Sequence, residues 1–256
     1  MRVTTLVCVM ALAGPATGQA PDAGSLAPGR PGAEQLLDAT DRTMTFDARR
    51  MRVLMKVEGR RTRTFELISY SRGEEDSGVE YLAPAREKGT RMLKLGEELW
   101  LYMPSVERVQ KISGHMLREG VMGSDVSYED LMASRELRKR YEAKVTGEDT
   151  VDGRPCWTLE LTAKDATVSY PKRVSCIDKE TFIPLKQELF ALSGMLLKTW
   201  TMGEVKELDG GRKFPTRMVI RDHLKKDSVT RLELSEIAFE IKSPEEIFSL
   251  RWLERK

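Results

Sequence analysis

The chain has 256 residues, 40% of them hydrophobic, with 42 Lys and Arg against 40 Asp and Glu and a formal net charge of +2. So even a balance excludes the basic footprint of a nucleic-acid binder, and the length suits one large domain, since β-rich units of this size are commonly single. Its two histidines, His115 and His223, lie far apart with no carboxylate or cysteine at ligand spacing, and no nucleophile elbow, zinc-helix motif or phosphate loop is present. No metal site, cofactor or catalytic residue is expected, and the chain does not read as an enzyme.

The first twenty residues read as an export signal. Arg2 supplies the charge, Val3 to Ala13 the apolar core, and Gly18-Gln19-Ala20 a small-x-small cleavage site. That core is shorter than the roughly 20 residues a transmembrane helix needs, so the mature protein is expected to be soluble and periplasmic. Cys8 lacks the flanking pattern of a lipid-modified first residue. Residues 21–32, rich in Pro, Gly and Ala, read as a flexible leader, which leaves residues 33–256 as a single domain.

Glu34 to Met44 places Leu36, Leu37, Thr40 and Met44 at helical spacing. The period then changes to two. Segments 51–59, 64–71, 79–83, 90–95 and 99–103 alternate as strands in an antiparallel meander, and 143–149, 156–163, 172–178, 184–190, 196–206, 214–222 and 229–241 continue it after an interruption. About eleven or twelve strands with few helices imply a mainly β fold, one large curved antiparallel sheet or an open barrel. Leu99-Trp-Leu-Tyr-Met103 is apolar on both faces, which an open sheet with one solvated side does not need, so one face must be covered or bind something. A three-residue turn at Gly96 would group Leu93 and Leu95 with Leu99, Leu101 and Met103; a two-residue turn would group them with Trp100 and Tyr102.

The interruption, about 112–144, carries Gly114, Gly120 and Gly123, then Ser127 and Asp130 at capping-box spacing ahead of a helix predicted over 128–141. A lid over the sheet and a permanent plug are both compatible with this pattern. Gly120 and Gly123 would supply its hinge, and Asp125, Ser127, Tyr128 and Asp130 its cap. Methionines are frequent on the strands and the insertion, including Met92, Met103, Met116, Met122, Met132, Met195, Met202 and Met218; flexible thioethers suit either core gaps or a surface for acyl chains. Cys156 and Cys176 survive signal removal, and a hairpin centred near Ala166 would set them opposite each other. In an oxidising compartment this favours a disulfide over a metal site or a redox pair.

Gly96-Glu-Glu-Leu-Trp-Leu-Tyr-Met-Pro104, Val121-Met-Gly-Ser-Asp-Val-Ser-Tyr-Glu-Asp-Leu131, Asp152-Gly-Arg-Pro-Cys156, Asp178-Lys-Glu-Thr-Phe-Ile-Pro-Leu185, Pro215-Thr-Arg-Met218 and Phe248-Ser-Leu-Arg-Trp-Leu253 together resemble the LolA-like outer-membrane lipoprotein-sorting family. The resemblance runs from about residue 33 to the C-terminus and is to the broader group that often accompanies RND-type lipid exporters. It implies an unclosed β-barrel whose concave apolar face is capped by helices. It further implies a monomeric periplasmic carrier of lipid or lipoprotein acyl chains, with an RND-type transporter or other envelope membrane protein as partner. A periplasmic sensor or regulatory subunit on the same fold is the alternative. The cavity-lining candidates are Leu67, Leu93, Leu95, Trp100, Leu101, Tyr102, Met103, Met116, Met122, Leu131, Met132, Trp200, Met202 and Met218.

Overall fold

The computed structural model describes residues 29–255 apart from Glu74, 133–136 and 242–243. The export signal and most of the leader lie outside the described residues. Helix α1 spans Ala33–Met44 and is opened by the Gln35 side chain, which accepts the Gly32 N–H at 3.0 Å. Its Leu36 and Leu37 are fully buried.

Thirteen strands follow in one sheet. The first six are β1 (Ala48–Glu58), β2 (Arg63–Arg72), β3 (Asp76–Ala83), β4 (Arg91–Leu95), β5 (Glu98–Met103) and β6 (Arg108–Ile112); the rest are β7 (Tyr141–Val151), β8 (Arg154–Ala163), β9 (Lys172–Asp178), β10 (Pro184–Phe190), β11 (Leu196–Leu208), β12 (Arg212–Asp222) and β13 (Val229–Phe239). Their order is β6-β5-β4-β3-β2-β1-β13-β12-β11-β10-β9-β8-β7, all neighbours antiparallel. The first and last strands therefore meet in the middle of the sheet, as the β1–β13 pair, and the two outermost strands are β6 and β7. The barrel does not close.

Strand β6 is the one the sequence reading passed over. Arg108, Gln110 and Lys111 are exposed along it, and charge is what an outermost strand carries to discourage further pairing. Elsewhere the period-two pattern holds: Val53, Met55 and Val57 are buried on β1 while Leu54 and Lys56 point out. Curvature enters at a bulge where Glu236 takes positive φ and the β1–β13 register slips beside it; Glu204 on β11 also takes positive φ.

Register defines the two faces. Leu161, Arg173, Leu189 and Lys198 stand directly opposite one another across β8 to β11 and so share a face. Leu161 packs against α1, and Lys198 bonds to the insertion, so helix and insertion cover the same side, the inner face. The hairpin β4–β5 turns through Gly96-Glu97, with Leu95 opposite Glu98 and Leu93 opposite Trp100. Gly96 sits at φ +54, where a side chain would be strained, and this tight turn sets the register. Leu93, Leu95, Trp100 and Tyr102 consequently share the outer face, beneath a C-terminal segment of a short turn Glu245–Phe248 and helix α4 (Leu250–Leu253).

Cys156 and Cys176 are joined, with Cα atoms 5.4 Å apart. The hairpin between them is centred on Thr167 rather than Ala166: Cys156 pairs with Asp178 and Thr158 with Cys176, so the bridge runs diagonally across β8 and β9. Nearby, Asp178 is buried and accepts bonds from Arg154 and Thr181. Burial alone would raise its carboxyl; the Arg154 guanidinium and the Thr181 donors reverse this and hold it below the usual carboxylate range.

Candidate functional site

The inner face of β1–β6 and β11–β13 is apolar and is filled from above by the insertion. Residues 114–118 and 121–123 form short 3-10 turns, and helix α2 occupies Tyr128–Met132. Of the helix predicted over 128–141, residues 133–136 lie outside the described residues. Helix α3 spans Leu137–Arg140, and the predicted helix gives way to strand at Tyr141, which belongs to β7 and whose hydroxyl donates to the Tyr170 carbonyl at 3.0 Å. The expected capping box is present, with Asp130 accepting the Ser127 N–H at 2.7 Å and Ser127 Oγ accepting the Asp130 N–H at 3.3 Å.

Val121 and Tyr128 are buried against Met92, Leu99, Leu101 and Ile112, with Met103, Met116 and Met132 around them, and Met122 reaches into the neighbouring cluster of Val53, Phe65, Leu67 and Tyr81. Burial pushes the Tyr128 hydroxyl up, as it does that of Tyr81. Leu67, Leu101, Met103 and Met218 therefore line the inner face, and Met116, Met122 and Met132 project from the lid onto it. Trp200 and Met202 share that face with Lys198 and are half-buried. Leu131 is 36% exposed and does not line it. Leu93, Leu95, Trp100 and Tyr102 lie on the opposite side, and the expectation that they line the cavity is corrected: the two-residue turn at Gly96 points them outward.

Beneath the lid is a polar latch. Asp125 is fully buried, and its carboxylate accepts Thr230 Oγ1 at 2.7 Å, Ser228 Oγ at 2.9 Å and the Asp222 N–H at 3.2 Å, while its own N–H donates to Thr230 Oγ1 at 2.9 Å. Asp130 forms a buried ion pair with Lys198, which also donates to Ser127 Oγ at 3.0 Å. The Tyr170 hydroxyl donates to Asp130 at 2.6 Å; burial first, and then the Asp130 charge, raise its pKa, so it stays a donor.

The two glycines expected to be a hinge sit where a side chain would collide or be strained. Gly120 bridges to Ser127, and a Cβ on it would run into the Ser124 carbonyl. Gly123 sits at φ +70 against the Arg63 guanidinium. Val121 and Val126 close the loop with a 2.8 Å backbone bond. Residues 120–127 are thus bonded to one another and to the strands beneath them. The sequence reading missed Lys198, Tyr170, Ser228 and Thr230; the available signal was parity, since Lys198 falls on the same side of β11 as Trp200 and Met202 and must bring a partner inward.

Among the described residues no group of three or more His, Cys, Asp and Glu side chains could hold a metal ion, and no helix is long and apolar enough to cross a membrane.

An open antiparallel barrel with its apolar hollow filled by an inserted lid is the architecture of a binding protein. A family model described as "-like: Uncharacterized protein" matches residues 73–255. Three solved structures share the fold. A DUF1329 family protein from Desulfovibrio piger is 23% identical, with 86% of this chain and 97% of that one covered at a TM-score of 0.80. A putative outer membrane lipoprotein-sorting protein domain from Vibrio parahaemolyticus is 24% identical, with 88% and 98% covered at 0.75. A LolA superfamily protein from Nitrosomonas europaea is 26% identical, with 87% and 100% covered at 0.71. A search of curated proteins finds no match. The chain belongs to the LolA-like outer-membrane lipoprotein-sorting family.

Proposed function

We propose that the protein is a monomeric, soluble periplasmic carrier that takes acyl chains of lipids or lipoproteins onto the inner face of its sheet when the lid lifts. In this reading it passes them between envelope membranes, or to and from an RND-type transporter or other envelope membrane protein. It is not an enzyme. The observation that carries the reading is the inner face itself: Leu67, Leu101, Met92, Met103 and Met218 form an apolar surface covered by a segment that brings its own apolar side chains and is fastened by polar bonds. An acyl chain of about 16 carbons gains on the order of 10 kcal/mol on leaving water. Val121, Met122 and Tyr128 lose contacts worth roughly 1.5–3 kcal/mol each when displaced, so exchange of lid for ligand is close to balanced. The latch groups regain hydration on release, which offsets most of the bonds they give up. Trp200 and Met202, half-buried beside Lys198, are where a chain would first meet that face.

Organic extraction of protein purified from its native envelope, followed by mass spectrometry, tests this together with uptake of a fluorescent fatty acid. Near-stoichiometric lipid, and faster uptake by Thr230→Val, which removes a donor to Asp125, are the expected results. An empty protein in which neither wild type nor the loosened variant takes up the probe would sink the carrier reading.

A further inference from the structure

The β1–β2 turn and the β12–β13 turn enclose an open cleft of about 600 Å³ at the margin of the lid, where Gly123 forms part of the wall. Five cations line it, Arg60, Arg61, Arg63, Lys225 and Lys226, against a single carboxylate, Glu58. Glu58 is already committed to Lys56 at 2.8 Å and Arg231 at 3.2 Å. Arg60, Arg61 and Lys226 are exposed and make no ion pair among the described residues; Asp227, the acid next in sequence, is exposed and does not line the cleft. Like charges gathered by two short turns repel one another, and an anion seated among them relieves that repulsion. Guanidinium forks beside ammonium groups match the oxygens of a phosphate.

Two further features point to a lipid phosphate. Leu224, in the same turn as Lys225 and Lys226, is 67% exposed, so an apolar side chain projects beside the cations as it would at a headgroup boundary. Two of the cations also hold the lid: Arg63 donates to the Gly123 carbonyl at 3.3 Å and Lys225 to that of Ser124. We propose that this cleft seats the phosphate of an anionic phospholipid headgroup at a bilayer surface, and that the phosphate competes with those two lid carbonyls for Arg63 and Lys225. The membrane would then loosen the lid where cargo is exchanged. This deepens the carrier reading and rests on it for the role of the lid; headgroup binding is measured separately.

The test uses the full mature chain and the double variant Arg60→Gln/Lys226→Gln, whose altered side chains are exposed and unpaired, with urea midpoints to show that both proteins fold alike. In flotation assays the wild type should bind vesicles of mixed phosphatidylglycerol and phosphatidylcholine but not phosphatidylcholine alone. The variant should bind about thirty-fold more weakly, from about 1 kcal/mol per basic residue near an anionic surface. Inorganic phosphate should release the wild type more effectively than chloride at matched ionic strength, and amides of residues 120–127 should exchange faster on the mixed vesicles. Equal binding by wild type and variant, equal binding to neutral vesicles, equal release by the two salts, unchanged exchange, or capture of free phosphate without vesicle binding would overturn the proposal. Uptake of an uncharged fluorescent acylglycerol, run in parallel, should be the same for both proteins. Its failure in both would remove the carrier reading and leave the flotation result to decide the cleft.

Discussion

The hairpin β4–β5 is covered on both faces by apolar side chains, and the two covers differ in how they are fastened. On the outer face, Ile247, Phe248, Trp252 and Leu253 pack on Leu93 and its neighbours. Gly78 lets them lie close, since a Cβ there would come within 2.6 Å of Ile247, and the Arg72 and Arg91 guanidinium groups lie 4.4 Å from the Phe248 ring and 5.4 Å from the Trp252 ring. On the inner face the lid is held by Asp125, Asp130, Lys198 and Thr230. The outer cover adds Arg91 donating to the Trp252 carbonyl at 3.1 Å and Arg72 paired with Glu245 at its margin, whereas the inner cover adds a buried polar latch whose groups can exchange their partners for solvent. On the carrier reading the inner cover is the one that releases.

The largest expected effect breaks the outer cover. Trp252→Ala should cost about 3–5 kcal/mol in urea denaturation while leaving fatty-acid uptake by the folded fraction unchanged. Lys198→Met should cost about 3 kcal/mol because it strands the buried Asp130 charge, and Lys198→Met/Asp130→Asn should recover most of that, since no unpaired charge remains. If the double variant were as unstable as the single one, the latch would be more than an ion pair. Thr230→Val should cost about 1–2 kcal/mol and speed amide exchange in 120–127 more than in 245–253. The smallest effect is a control that belongs to neither cover. The lowered pKa of Asp178 means its contribution is present above the ordinary carboxylate pKa of about 4 and is lost as pH falls through the lowered native value. Asp178→Asn should remove that acid-side loss from the melting profile equally in the Trp252→Ala and Lys198→Met backgrounds.

Much of this arrangement was legible in the sequence because it is periodic or local. Alternation gave the strands, Gly96-Glu97 gave a turn, Ser127 and Asp130 gave a cap, and the surviving cysteines gave a bridge. What was not legible depends on how strands meet. Whether Trp100 faces inward turns on one residue at Gly96, and a shift of one reverses every side chain of the strand. The latch joins residues far apart in sequence, Asp125 with Thr230 at a separation of 105 and Asp130 with Lys198 at 68, and only the β11–β13 register brings those hydroxyls and that ammonium beneath one loop. The charged cleft is likewise the meeting of two turns that are ordinary when read singly.

The order of the strands gives the lid a mechanical meaning. Because β6 and β7 are the two outermost strands and consecutive in the chain, the insertion between them is anchored at one end to each free margin of the sheet. It is a strap across the gap as well as a cover over the hollow. On the carrier reading, raising it would slacken or tighten both margins together, so that admitting a wide cargo and spreading the barrel would be a single motion, with the β1–β13 seam at the middle of the sheet as its spine.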